Sequence, residues 1–293
     1  MKWVVIAALT VMAALGLSSN VQAADAKISV VSAENVYGDI ARQIGGDRVE
    51  VTSIVSNPDQ DPHLFETTPS IARALAHARI VIMNGADYDP WMPPLLAAQP
   101  AAQRIVISVA DLIDKKPADN PHLWYDPATP PAIADALTKA LAAADPDGAA
   151  GYATRRDAFL AAWAPIKDRI AAIRTKAAGA PVTASEPVFG YMAEALGLTM
   201  RNESFQMSVM NDTEPSARDI AAMEGDLRHR KVRAFVYNKQ VADPQTDRLL
   251  AIAKEAGVPV VGVTETLPAN TNFQDWILKQ LDTLSEALGD RSS

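Results

Sequence analysis

Short apolar runs rich in β-branched residues recur along the whole chain and alternate with amphipathic helical patterns. Continuous apolar strands separated by helices are typical of parallel sheets that are covered on both faces. We therefore expect an α/β fold with two lobes, each a four-stranded parallel sheet flanked by helices. The eight strand candidates are 28–31, 49–55, 79–83 and 105–109 in the first half, and 181–184, 198–202, 232–237 and 258–263 in the second.

One segment without a strand pattern separates the two halves. From Asp147 to about Ala178 the sequence is rich in alanine, with large apolar residues at helical spacing, and Gly179 and Pro181 follow it. About 30 helical residues span roughly 45 Å. This length predicts one long helix that joins the two lobes. The alternative is an ordinary long helix, kinked at Pro165, within a single domain.

The first residues have the pattern of a secretory signal peptide. Lys2 is the single charge before an apolar stretch from Trp3 to Leu17, and Val21-Gln22-Ala23 forms a small-residue cleavage site. This stretch is shorter than the ~20 apolar residues of a membrane-spanning helix, and an uncleaved anchor is the alternative. The chain has no cysteine, which excludes disulfides and the usual bacterial lipid anchor. We expect a soluble periplasmic protein without a lipid anchor.

The formal net charge of -8 comes without any basic patch. Nucleic acid is therefore not an expected partner, and we expect a monomer. A mature chain of this length favours two domains.

Two of the four histidines lie in similar polar loops, Asp61-Pro62-His63 and Asn120-Pro121-His122. A lone histidine is usually a structural residue that is held by hydrogen bonds. These two differ through their shared Asp/Asn-Pro-His setting, with the carboxylates of Asp61, Glu66 and Asp126 close enough in sequence to orient the imidazoles. The remaining histidines stay unassigned: His77 and His229.

Two glutamates directly follow predicted strands of the second half. Glu186 follows the strand at 181–184, and Glu265 follows the strand at 258–263. Ligands of parallel α/β sheets bind outside the carboxyl ends of the strands. Two lobes that face each other with these edges would bring two donors each to one ion in the cleft between them. The predicted metal ligands are His63, His122, Glu186 and Glu265.

These motifs resemble the metal-specific solute-binding proteins of bacterial ABC importers for zinc and manganese. Asp61-Pro62-His63 resembles the first ligand loop of the family, and Asn120–Trp124 resembles the second. Phe189-Gly190-Tyr191 resembles the aromatic signature that follows the third ligand, which places Glu186 there, and Glu265 falls at the fourth. The resemblance implies a periplasmic component that captures a divalent metal ion and delivers it to an ABC transporter membrane permease. It also implies that the linking helix is rigid.

Two departures from the family pattern bear on the metal. Zinc importers commonly have histidine at the third ligand position and a histidine-rich loop before the second, whereas this chain has Glu186 and a short stretch at 115–119 without histidine. The fourth ligand is usually aspartate, and here it is Glu265. Carboxylate oxygens move the preference toward manganese, although imidazole suits zinc. We expect Mn²⁺ or Zn²⁺ as the transported ligand, with manganese as the physiological cargo and zinc binding in vitro.

Two other functions remain open at this stage. A secreted zinc metallohydrolase would keep a ligand position for water, and a two-lobed binder of an organic solute would use His63 and His122 as hydrogen-bond donors. The sequence has no HExxH pair, no Gly-x-Ser-x-Gly motif and no Walker loop, which favours a binding protein over an enzyme.

The predicted domains are a signal peptide at 1–23, an N-terminal metal-binding lobe at 24–145, a linking helix at 146–178 and a C-terminal metal-binding lobe at 179–293.

Overall fold

The computed structural model describes residues 27–59, 62, 65–211, 213–241 and 243–289. The predicted signal peptide, Asp61 and the predicted ligand His63 lie outside these described residues. Within the described ranges, no helix has the length and apolar character that crossing a membrane requires.

The N-terminal lobe is built on a sheet of four parallel strands, in the spatial order β2-β1-β3-β4. The strands are β1 (Ile28–Glu34), β2 (Val49–Val55), β3 (Ile80–Met83) and β4 (Ile105–Ser108). Its helices are α1 (Asn35–Gly45), α2 (Pro69–His77), α3 (Met92–Ala97), α4 (Val109–Leu112) and α5 (Thr129–Ala144).

The C-terminal lobe repeats this topology with the order β6-β5-β7-β8, again with all strands parallel. The linking helix α6 (Ala149–Ala177) precedes it. The strands are β5 (Pro181–Ala184), β6 (Thr199–Arg201), β7 (Phe235–Asn238) and β8 (Val260–Val263). The helices are α7 (Gly190–Ala195), α8 (Glu203–Met210), α9 (Ala217–Arg228), α10 (Pro244–Ala256) and α11 (Phe273–Gly289).

The predicted fold class is confirmed: two four-stranded parallel sheets flanked by helices, with one long helix between them. Because all strands of a sheet run in the same direction, the loops after β2, β4, β5 and β8 leave at carboxyl edges. The predicted ligands follow these four strands. The predicted domain boundaries remain a prediction.

Helix α6 continues through Pro165, whose side chain is exposed. Its buried residues recur every three or four positions from Phe159 on, and Tyr152 lies two turns before Phe159, so they form one apolar stripe along the helix. The stripe consists of Tyr152, Phe159, Trp163, Ile166, Ile170, Ile173 and Ala177. These residues join one hydrophobic core with side chains from both sheets, such as Val30 and Val261. The lobes therefore share a core.

The start of α6 is fixed to the N-terminal lobe through Asp145. Its carboxylate accepts hydrogen bonds from Arg48 Nε at 2.5 Å, Arg48 Nη2 at 2.9 Å and the Tyr152 hydroxyl at 2.5 Å. It also accepts one from the backbone N–H of Gly148 at 3.3 Å, in the turn before the helix. The Arg48 guanidinium and the Tyr152 hydroxyl lower the pKa of Asp145 from 3.8 to about 2.

This depressed pKa predicts a defined loss of stability in acid. A carboxylate with a pKa that is lower in the folded state than in the unfolded chain stabilises the fold above the unfolded value, and this contribution disappears as pH falls toward the folded value. We expect part of the stability of the wild-type protein to be lost between pH 4 and about pH 2. In Asp145→Asn this part should be missing, and the melting temperature should depend less on pH in this window. Thermal melts at stepped pH test this, with exposed Asp168→Asn as the control.

Candidate metal centre

His122 lies in the loop after β4 and is completely buried, with 0% of its surface exposed. Asn120 fixes its ring: Oδ1 of Asn120 lies 2.7 Å from His122 Nδ1 and also accepts the backbone N–H of His122 at 3.1 Å. The amide nitrogen of Asn120 donates to the carbonyl of Pro187 at 2.7 Å, which sets the amide orientation. Because Oδ1 can only accept, the ring proton of neutral His122 lies on Nδ1. Nε2 then presents a lone pair, as a metal ligand does.

Glu265 lies two residues after β8, and it too is completely buried, with 0% exposed. Its Oε2 is 3.3 Å from Nε2 of His122 in the other lobe. With the ring proton on Nδ1, both of these atoms are acceptors. A positive charge between them, either a proton on Nε2 or a metal ion, satisfies both. This pair from two lobes is the arrangement that the sequence predicts for a metal site.

Donors from both lobes fix the carboxylate of Glu265. The Tyr88 hydroxyl donates to Oε2 at 2.8 Å, and Nδ2 of Asn238 donates to Oε1 at 2.6 Å. The backbone N–H of Glu265 donates to Oε1 of Gln240 at 2.6 Å. A carboxylate with its orientation set in this way needs little reorganisation when it binds a cation.

Glu186 lies two residues after β5 and is 3% exposed. The next residues form a short 3-10 turn, Pro187–Phe189, in which each side chain is buried. This packing keeps the glutamate at the carboxyl edge of the second sheet, as the sequence predicts. Within the described residues, no group of three histidine, aspartate or glutamate side chains meets the spacing of a metal site. The four-residue ligand set is therefore a prediction, and His63 lies outside the described residues.

The charges of several carboxylates affect the pKa of the Tyr88 hydroxyl group. Burial raises the pKa of Tyr88 well above its usual value, and the charges of Glu265, Glu34 and Glu186 raise it further, together with the hydrogen bond to Glu265. Several carboxyl groups therefore act on one hydroxyl group in this region. A buried site lined by carboxyl groups favours a cation over an anion.

Aromatic rings enclose the histidine. Trp124 is fully buried, and its ring makes edge-on contacts with His122 and Tyr88 at centroid distances of 5.5 and 4.9 Å. Phe205 is buried in a separate core of the C-terminal lobe. Trp91 packs on Phe65, with ring centroids 4.9 Å apart. These rings pack against other side chains of the fold.

The two lobes are hydrogen-bonded directly beside the site. Asn35 exchanges two hydrogen bonds of 2.8 Å with the backbone of Leu267, two residues after Glu265. The Tyr125 hydroxyl donates to the carbonyl of Thr264 at 2.7 Å, and the Tyr191 hydroxyl donates to the carbonyl of Asn120 at 2.7 Å. The two lobes are therefore in direct contact beside Glu265 and His122.

One expectation about the surroundings of the histidines is wrong. Asp126 does not orient His122: it accepts the backbone N–H of Ala128 at 2.9 Å and lies 3.7 Å from Lys115 Nζ. Asn120 has this role, because its amide is two residues from the ring and can both accept from it and donate to the other lobe. Sequence reasoning also missed Tyr88 and Asn238, which reach Glu265 across long sequence separations. The Asn-Pro-His motif contained a signal for Asn120, whereas Tyr88 and Asn238 gave none.

Comparison with known proteins identifies the class. Residues 30–287 match the family described as ZnuA, zinc-uptake complex component A, periplasmic, and the chain belongs to this family. The family comprises solute-binding proteins of ABC transporters, so both the predicted resemblance and the prediction that the chain is not an enzyme are confirmed.

Individual relatives are distant but span most of the chain. SloC of Streptococcus mutans, a metal ABC transporter substrate-binding lipoprotein, is 24% identical over 89% of this chain and 88% of its own length. PsaA of Streptococcus pneumoniae, a manganese ABC transporter substrate-binding lipoprotein, is 22% identical over 89% of both chains. The fold is similar to the periplasmic zinc-binding protein TroA of Treponema pallidum, with a TM-score of 0.76 and 18% identity, covering 89% of this chain and 99% of that one.

Proposed function

We propose that this protein captures one divalent transition-metal ion, manganese or zinc, between its two lobes and delivers it to an ABC transporter permease. His63 and His122 bind the ion through imidazole nitrogen, and Glu186 and Glu265 bind it through carboxylate oxygen. Family membership supports the coarse function, a metal-binding component of an importer. The identity of the metal, the ligand set and the delivery step are our proposals.

The observation that supports this site most is the buried pair of His122 and Glu265. Nε2 and Oε2 lie 3.3 Å apart, they come from different lobes, and both residues are completely buried. Removing a carboxylate from water is costly unless a cation or hydrogen bonds compensate. A metal ion bound between these atoms would hold the two lobes together through the site.

The donor set predicts which metals compete. Two imidazoles with carboxylates can bind zinc in four-coordinate geometry or manganese in a larger oxygen-rich shell. A given site of this kind binds zinc with higher intrinsic affinity than manganese. Among the relatives, PsaA is named for manganese and TroA for zinc. We propose manganese as the physiological cargo, because a third-position glutamate replaces the histidine of the zinc branch.

A metal titration of the stripped mature protein tests the function. We expect one manganese or zinc ion per chain and a rise in melting temperature, because a ligand that binds only the folded state stabilises it by RT ln(1 + [L]/Kd), about 2.7 kcal/mol at 100 times Kd. Glu186→Gln should weaken binding by at least about tenfold, or ~1.4 kcal/mol. Stoichiometry by elemental analysis and melting by differential scanning calorimetry provide the two readouts.

The matched control is Glu194→Gln, an exposed carboxylate on α7, which should bind metal as the wild type does. Failure of the wild-type protein to bind either metal stoichiometrically would refute the proposed function. Wild-type affinity in Glu186→Gln would refute the assignment of Glu186 as a ligand and leave the function standing.

The proposed location is the periplasm, as for the family. SloC and PsaA are lipoproteins by name, so the comparison gives no support to the expected absence of a lipid anchor. The monomeric state and the absence of nucleic-acid binding likewise stay predictions from the sequence.

A further inference from the structure

Glu34 lies at the same carboxyl edge as the predicted ligands, although the proposed ligand set does not use it. It is the last residue of β1, the strand that lies between β2 and β3 in the first sheet, and it pairs in register with Val55 at the end of β2. The loop with His63 leaves the sheet from β2. Glu34 is 1% exposed, so its carboxylate is enclosed at this edge.

Neither carboxylate oxygen of Glu34 has a hydrogen-bond partner of normal geometry among the described residues. Burial raises the pKa of Glu34 well above its usual value, and the charge of Asp89, which has the same sign, raises it further, whereas the backbone N–H of Glu34 itself acts in the lowering direction. Asp89 has its own donors, the backbone N–H groups of Asn84 at 2.8 Å and Gly85 at 2.9 Å, and cannot donate to Glu34 as a carboxylate. A buried carboxyl group in this position must be neutral or must face a cation.

Three observations link Glu34 to the expected metal site. Its charge acts on the Tyr88 phenol together with those of Glu265 and Glu186. The Tyr88 hydroxyl is itself hydrogen-bonded to Glu265 at 2.8 Å. The neighbouring residue Asn35 is hydrogen-bonded to Leu267, two residues from Glu265, across the lobe interface. Glu34 therefore lies at the carboxyl edge of the first sheet, next to a residue that is hydrogen-bonded across the lobe interface close to Glu265.

We propose that Glu34 is a further protein donor to the captured ion, a third carboxylate that adapts the site to Mn²⁺ by raising the total number of ligands above the four of a tetrahedral site. This inference rests on the proposed function. Zinc is satisfied by four donors, whereas manganese is a harder ion that accepts six ligands in octahedral oxygen-rich sites. The carboxylate that lacks a partner in the absence of metal gains one when the ion binds.

The test measures manganese and zinc affinities by chelator competition for the wild type, Glu34→Gln and Glu50→Gln. Glu50 is an exposed glutamate on the adjacent strand β2 and serves as the matched control. In Glu34→Gln we expect manganese affinity to fall by at least about tenfold, or ~1.4 kcal/mol. Zinc affinity should stay within about threefold of wild type, because four donors remain. Glu50→Gln should leave both affinities unchanged.

The structure of the manganese-bound wild type gives a readout that needs no variant. An oxygen of Glu34 in the coordination shell supports the proposal, and a shell without Glu34 overturns it. Equal losses for both metals in Glu34→Gln, a larger loss for zinc, or no loss would also overturn it. A wild-type protein that binds neither metal would instead refute the proposed function itself. If Glu34→Gln fails to fold, the metal-bound wild-type structure still decides.

Discussion

His122→Ala should weaken metal binding by more than about 100-fold, because even residues that only orient a ligand typically account for 10–100-fold in affinity. The ring is completely buried, and its proton is held on Nδ1 by Asn120 at 2.7 Å. This leaves Nε2 directed at Glu265 at 3.3 Å. The variant therefore loses one of the proposed nitrogen ligands, and the alanine methyl group cannot replace it. Isothermal titration with zinc and with manganese measures the effect.

A structural role for His122 predicts a different result. The variant would then lose stability without metal but keep the metal-dependent increase in melting temperature. His77→Ala provides the control, since His77 is exposed at the end of α2 and the sequence interpretation leaves it unassigned. Metal affinity in His122→Ala equal to that of His77→Ala would contradict the proposed ligand set.

The fold was predictable because the apolar pattern is local. The strands β2 and β5 occupy the ranges expected from the sequence, Val49–Val55 and Pro181–Ala184, and the other six strands differ at their ends by a few residues. The largest differences at a strand end are three residues: β1 continues to Glu34, beyond the expected end at Val31, and β7 begins at Phe235, although the apolar run begins at Val232. Val232 is fully buried in a loop position, and burial alone does not distinguish a strand from the segment before it.

The candidate site was predictable only in part. Strand ends could be read from the sequence, and they place His122, Glu186 and Glu265 at carboxyl edges, where the structure has them buried. The partners of these residues are determined by tertiary contacts that have no local pattern. Tyr88 and Glu265 are 177 positions apart in sequence, and the sequence does not indicate their contact. The buried Glu34 was missed because the apolar run that predicted β1 ends at Val31, whereas the strand continues to Glu34.

Trp163→Ala should destabilise the fold by about 3–5 kcal/mol, the usual cost of removing a buried tryptophan or phenylalanine side chain. Trp163 lies at the middle of α6 and is 1% exposed. Its ring stacks on Phe273 at the start of α11, with centroids 5.6 Å apart and an interplanar angle of 26°. The cavity left by the indole would lie in the core that both lobes share, so we expect one cooperative unfolding transition at lower urea concentration. Urea unfolding followed by far-UV circular dichroism measures the change.

The control for this substitution is Lys167→Ala on the exposed side of the same helix, which should change stability by less than about 0.5 kcal/mol. Trp163 does not belong to the proposed ligand set, and the metal ligands are held by loops that the substitution leaves in place. A folded Trp163→Ala variant should therefore still show a metal-dependent increase in melting temperature, starting from a lower value. Two separate transitions, one for each lobe, would contradict the shared core and show that α6 joins two independently stable domains.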